Sequence, residues 1–154
     1  MLFLLFELNQ DRYVLDIAQV VEVLPLVDLK EIPQSIPGVA GIFNYRGEAV
    51  PVVDVSEMLL ARPSARILST RLVLVRQPDG DKEERLLGLI VEKAIRTVRR
   101  DPGDFTNSGV ATDNAPCLGL VATDPQGVIQ WVNPGKLLSD EVREVLFRQL
   151  VESS

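Results

Sequence analysis

Two apolar runs face each other across one compact turn signal in Pro37-Gly38-Val39-Ala40-Gly41-Ile42-Phe43-Asn44-Tyr45-Arg46-Gly47-Glu48-Ala49-Val50-Pro51-Val52-Val53-Asp54. This pattern specifies a β-hairpin. Asn at the first turn position and Gly at the fourth suit a type I turn, with Gly47 at positive φ closing a bulged three-residue loop and Tyr45 and Arg46 at its centre. Pro51 has no N–H to give a ladder, so its strand is expected at a sheet edge or at a bulge. Asp54, with Glu57 three residues on, predicts a capping box that opens a short helix, and Pro63 ends that helix near Arg62.

The rest of the chain repeats the theme of short β-prone runs separated by turn residues. Leu2–Leu8 is apolar nearly throughout, as expected of a strand covered on both faces. After a turn at Asn9–Arg12 come Tyr13–Ile17 and Val20–Leu24, the latter stopped by Pro25 and carrying Glu22 as its one charge. Leu26–Ile32 continues in extended form. Beyond the central hairpin, Arg71–Arg76 and Arg85–Val91 form a second hairpin, Ala94–Val98 a further strand, and residues 101–115 a loop. Leu118–Ala122 and Val128–Val132 flank Asp124-Pro125-Gln126-Gly127, a turn with Pro second and Gly fourth. From Ser139 the period changes to helical, with Val142, Val145, Leu146 and Leu150 on one face, so a capped amphipathic helix is predicted over about 139–151. Nine or ten short strands with two helices indicate a mainly β, barrel-type fold.

Composition narrows function by exclusion. The chain has 154 residues, the size of one domain, and 46% of them are hydrophobic against 25% charged, which excludes general disorder. A net charge of −6 argues against a nucleic-acid partner, and Arg96, Arg99 and Arg100 beside Asp101 and Asp104 read as a solvated edge. Met1–Phe6 is too short for a signal sequence, and no window approaches the roughly 20 apolar residues of a membrane span, so no direct membrane insertion is expected. The single cysteine, Cys117, sits in an apolar string and reads as a buried small hydrophobe in a reducing, cytoplasmic setting. With no histidine, Ser-His-Asp and Cys-His catalysis and ordinary zinc sites have no residues to work with. No phosphate-binding glycine loop or calcium loop fits, and the expectation is no enzyme, no cofactor and no metal.

What remains are surface residues. Arg46 stands at the hairpin tip, where most exposed charge contributes little. Asn44 closes its own turn through its side chain, and Tyr45 presents an aromatic ring of the kind enriched at interface hot spots. Glu22 is either an outward strand position or a polar contact beside an apolar groove, with Val20 two residues away on the same strand face.

Gly38-Val39-Ala40-Gly41, Asn44-Tyr45-Arg46-Gly47 and Val50-Pro51-Val52-Val53-Asp54-Val55 together closely resemble the central signature of CheW-like domains, the coupling proteins of bacterial chemosensory arrays. Tyr13, Asp16-Ile17, Val20 and Glu22-Val23 fall where that family places its upstream pattern. The match runs from Phe3 to about Leu138. Glu92, where the family often has Asp, Pro134-Gly135 and the long 77–84 loop depart from it. The resemblance implies one domain over 1–154, built of two five-stranded SH3-like β-barrels side by side with a groove between them. It further implies a noncatalytic adapter joining the cytoplasmic tip of a methyl-accepting chemoreceptor to the regulatory domain of a CheA-like histidine kinase, cytoplasmic at membrane-associated arrays. Arg46 is then the coupling residue, with Tyr45, Glu22, Val20 and Asn44 as further contacts. Phe43–Gly47 with Leu24–Val27 is similar to adapters of Wsp-type surface-sensing systems, whereas a stand-alone barrel binding a small ligand is the alternative from outside the family.

Overall fold

In the computed structural model, described for residues 1–31, 38–65, 67, 69–79, 82–107, 118–139 and 142–146, eleven strands form two sheets. The chain starts in the first sheet with β1 (Leu2–Leu8) and β2 (Asp11–Asp16). It then builds the whole second sheet from β3 (Val20–Pro25), β4 (Val39–Tyr45), β5 (Glu48–Asp54), β6 (Arg71–Asp79) and β7 (Lys82–Val91). It returns to the first with β8 (Lys93–Arg99), β9 (Thr106–Asn107), β10 (Leu118–Asp124) and β11 (Gly127–Val132). The orders are β8-β1-β2-β11-β10-β9 and β3-β6-β7-β5-β4. The strand beyond the expected ten is the two-residue β9, inside the stretch read from sequence as loop.

Strand alternation explains why so many runs are apolar on both faces. On β1, Phe3 and Leu5 point into the first sheet's own core with Val14, Phe105 and Ile129, while Leu4, Phe6 and Leu8 point into a layer shared with the second sheet. On β6, Leu72 and Leu74 fill the second sheet's core with Val50, Val52 and Ile90, while Val73 and Val75 face the shared layer. The protein is therefore two curled sheets, each with its own filling, glued by a third apolar layer. Phe6→Ala opens a cavity in that shared layer and should cost about 3–5 kcal/mol in a denaturant unfolding curve.

Each sheet curls until the chain itself bridges its edges. In the second, residues after β3 swing back so that Lys30 and Ile42 exchange both backbone hydrogen bonds, at 3.0 and 2.8 Å, against the outer edge of β4. Gly41 (φ +152°) permits that approach, because a Cβ there would lie 2.6 Å from the Lys30 carbonyl oxygen. In the first, the link from β8 runs through a 3-10 turn at Pro102–Asp104 straight into β9 on the opposite edge. Among the described residues neither sheet closes into the expected barrel by a ladder between its edge strands; the two SH3-like units are curled, open sheets.

Pro51 departs from expectation. Strand β5 lies inside the sheet, between β7 and β4, and the bulge on this hairpin falls in β4 between Val39 and Gly41. The proline is tolerated because the parallel ladder to β7 covers only residues 52–54, starting one residue beyond it.

The mid-chain helix, α1 (Val55–Leu60), is capped by Asp54 as predicted, with Oδ1 accepting from the Ser56 and Glu57 amides at 3.1 and 3.3 Å. Asp54 is buried and also accepts from the Ser64 amide and hydroxyl, at 2.8 and 2.6 Å, so it ties down the following linker. The reciprocal half of the capping box is not made: the Asp54 amide donates to the Gly38 carbonyl instead. The helix stops at Leu60 with Ala61 left-handed, slightly before the expected end. At the C-terminus residues 142–146 are helical, with Ser139 Oγ accepting from the Val142 amide at 3.2 Å. The rest of the expected 139–151 helix, and Cys117, lie outside the described residues.

Candidate partner-binding site

Four of the five sequence-selected residues converge at one end of the second sheet. Strands β3 and β4 are its two edges, and at this end no backbone ladder joins them among the described residues. The gap is spanned by side chains: the Tyr45 hydroxyl donates to Glu22 Oε2 at 2.7 Å. Arg46, next along, places Nη2 4.0 Å from the same oxygen and its guanidinium carbon 5.0 Å from the centre of the Tyr45 ring. Phe43 supports the tyrosine at 6.2 Å between ring centres. The hydrogen bond to Glu22 holds the Tyr45 phenol above its ordinary pKa, partial burial adds to this, and Arg46 works against it.

The turn differs from the expected type. Tyr45 pairs directly with Glu48, so the loop is only Arg46 (φ +53°) and Gly47 (φ +86°), a type I′ geometry whose twist matches the flanking strands. Tyr45 is thus the last strand residue, not a central turn residue. Asn44 Oδ1 accepts from the Gly47 amide at 2.9 Å, the turn-closing role expected of it. A left-handed arginine costs about 1 kcal/mol that glycine or asparagine would avoid. Its side chain, 78% exposed, recovers little of this by a 4.0 Å contact.

Val20 does not join the group. The β3–β6 register shifts between Val20 and Glu22, so their partners Val75 and Leu74 are consecutive and face opposite ways. Val20 packs against the layer between the sheets while Glu22 turns to the second sheet's open end, which corrects the expectation of a shared face.

Other polar features serve the fold. Arg12 donates to Asp124 from both Nη atoms, at 2.9 and 2.6 Å, and Arg100, expected on a solvated edge, reaches Asp124 at 3.5 Å. The Arg12 hydrogen bonds bring the Asp124 carboxyl down to about 2. Glu92 pairs with Arg62 at 3.0 Å. Sequence reasoning missed both pairs, and in a single sequence nothing signals a contact across 112 positions. A pocket of about 380 Å³ at the first sheet is lined by Asp16, Gln19, Leu120, Trp131, Asn133 and Lys136. Among the described residues no cluster of His, Cys, Asp and Glu could hold a metal, and no helix is long and apolar enough to cross a membrane.

The sequence matches a known family over residues 2–142, the CheW-like domain. This chain belongs to the CheW-like family. The "Chemotaxis protein CheW" of Treponema pallidum (strain Nichols) is 29% identical over 93 residues, which cover 60% of this chain and 54% of that protein, so the chain spans about half the length of that relative. Among solved structures, the scaffolding protein TtCheW from Thermoanaerobacter tengcongensis superposes with a TM-score of 0.78 at 24% identity, covering 90% of this chain and 87% of that one. The CheW-like fold expected from the sequence is thus the observed one.

Proposed function

We propose that this CheW-like protein is a noncatalytic chemosensory adapter, coupling the cytoplasmic tip of a methyl-accepting chemoreceptor to the regulatory domain of a CheA-like histidine kinase. It acts in the cytoplasm at receptor arrays. The observation that carries this reading is Arg46: an exposed guanidinium held in a costly left-handed turn at a projecting tip, with its donors almost unspent. A planar fork of five N–H donors suits a carboxylate or carbonyls on a protein partner. Tyr45, Glu22 and Asn44 belong to the same tip, whereas Val20 would contribute from the layer between the sheets. An adapter of this kind transmits a coupling free energy of about 1–3 kcal/mol between receptor state and kinase activity. The names carried by its relatives, a chemotaxis protein and a scaffolding protein, support the same role.

The test is co-sedimentation with receptor tips and binding to purified kinase regulatory domain from the same organism. Retention of neither overturns the reading. The pocket beside Trp131 supports the alternative of a small-ligand barrel, which predicts a melting shift with a metabolite panel; because Trp131 is the only tryptophan, its fluorescence would report occupancy directly.

A further inference from the structure

The tip contains an arginine and a glutamate within reach of each other, yet they meet only through one long contact. Glu22 Oε2 sits 2.7 Å from the Tyr45 hydroxyl and 4.0 Å from Arg46 Nη2. A strong arginine–carboxylate pair brings both oxygens to roughly 2.7–2.9 Å from the guanidinium. Here the guanidinium lies over the Tyr45 ring face while the hydroxyl at the ring's far end engages the carboxylate. The tyrosine therefore holds one charge on its face and the other at its tip, and keeps them apart.

We infer that Tyr45 is a positioning residue for partner recognition: by occupying Glu22 and cradling Arg46, it keeps the guanidinium only loosely paired and pre-oriented for a carboxylate on the partner surface. The proposal rests on the adapter reading and adds the partner's chemistry and the device that selects it. An arginine held by Glu22 through two short hydrogen bonds would have to break them before binding, whereas a ring-cradled one with a single 4.0 Å contact gives up little and loses little rotamer entropy. The raised phenol pKa agrees with a hydroxyl that is a committed donor to Glu22. The hydroxyl also stitches β3 to β4 across the open end of the sheet, so loss of one atom acts on the tip without touching a core.

The test is a three-variant cycle read by binding to the purified kinase regulatory domain. Tyr45→Phe keeps the ring and releases Glu22 onto Arg46, so affinity should fall roughly threefold to tenfold. Adding Glu22→Gln removes the competing charge and should return affinity to within about twofold of Glu22→Gln alone. A merely structural tyrosine would show no such rescue. A second readout needs no partner: the tyrosinate absorbance step that disappears in Tyr45→Phe should occur above the ordinary tyrosine value and move down in Glu22→Gln. Unchanged affinity in Tyr45→Phe, absence of rescue, or a tyrosinate step indifferent to Glu22→Gln each overturns the inference. If Arg46→Ala leaves kinase binding intact, the adapter reading of this tip fails, and the titration alone decides whether Tyr45 holds Glu22.

Discussion

Two arginine–carboxylate pairs in this protein have the same chemistry and opposite circumstances. Arg12 and Asp124 are part-buried, with side chains 11% and 18% exposed, and meet through two short hydrogen bonds. Arg46 and Glu22 are 78% and 38% exposed and share one contact at 4.0 Å. A part-buried pair of this kind gains from short, direct hydrogen bonds, and Asp124 adds to them Arg100 at 3.5 Å and the Gln126 amide at 2.9 Å. An exposed pair is worth between zero and about 1 kcal/mol, so the tip arginine is not explained by stability. The first pair closes the fold by tying β2 to the β10–β11 turn, and the second leaves a cation available. Burial and geometry, not residue type, separate a structural ion pair from a loosely held one at an exposed tip.

The contrast can be broken by experiment. The largest effect should come from Arg12→Ala, which leaves the part-buried Asp124 carboxylate with only Arg100 at 3.5 Å and the Gln126 amide at 2.9 Å and lowers the melting temperature by roughly 2–4 °C, with partner affinity unchanged. Next is acid. Because the folded Asp124 carboxyl lies at about 2, below its ordinary 3.8, its contribution is complete above pH 4 and is lost as pH falls through 2. Wild type should thus lose melting temperature between pH 4 and 2 more steeply than Asp124→Asn. Raising salt from 0.1 to 1 M shortens the screening length from about 10 to 3 Å, so partner association should weaken several-fold while the melting temperature barely moves. The smallest effect is that of Glu22→Gln on stability, a shift under about 2 °C in a thermal scan.

The same division separates what could be read from the sequence. Local signals were legible: the 37–54 hairpin, the Asp54 cap, the Pro-Gly turn at 124–127 and the two-faced apolar run of β1 all rest on neighbours within a few residues. The tip's type I′ geometry was not, because Arg46-Gly47 lacks the Asn-Gly pair that announces it; the Asn9-Gln10 turn, also with two positive φ values, was read too long for the same reason. The bulge that sends Val20 and Glu22 to opposite faces is set by pairing with β6, more than fifty residues away, and leaves no mark in the pattern of β3. Of the tip, Arg46, Tyr45 and Asn44 are contiguous and were found together, but the hydrogen bond that makes Glu22 their neighbour exists only after the second sheet has curled.

The central claim is that Arg46 is kept for a partner at some expense to the fold. Arg46→Gly isolates it, since glycine suits the left-handed turn and removes the guanidinium. Measured on one sample, melting temperature should stay level or rise by up to about 3 °C while affinity for the kinase regulatory domain falls at least tenfold. Retained affinity, or a melting temperature lowered by several degrees, would contradict the account.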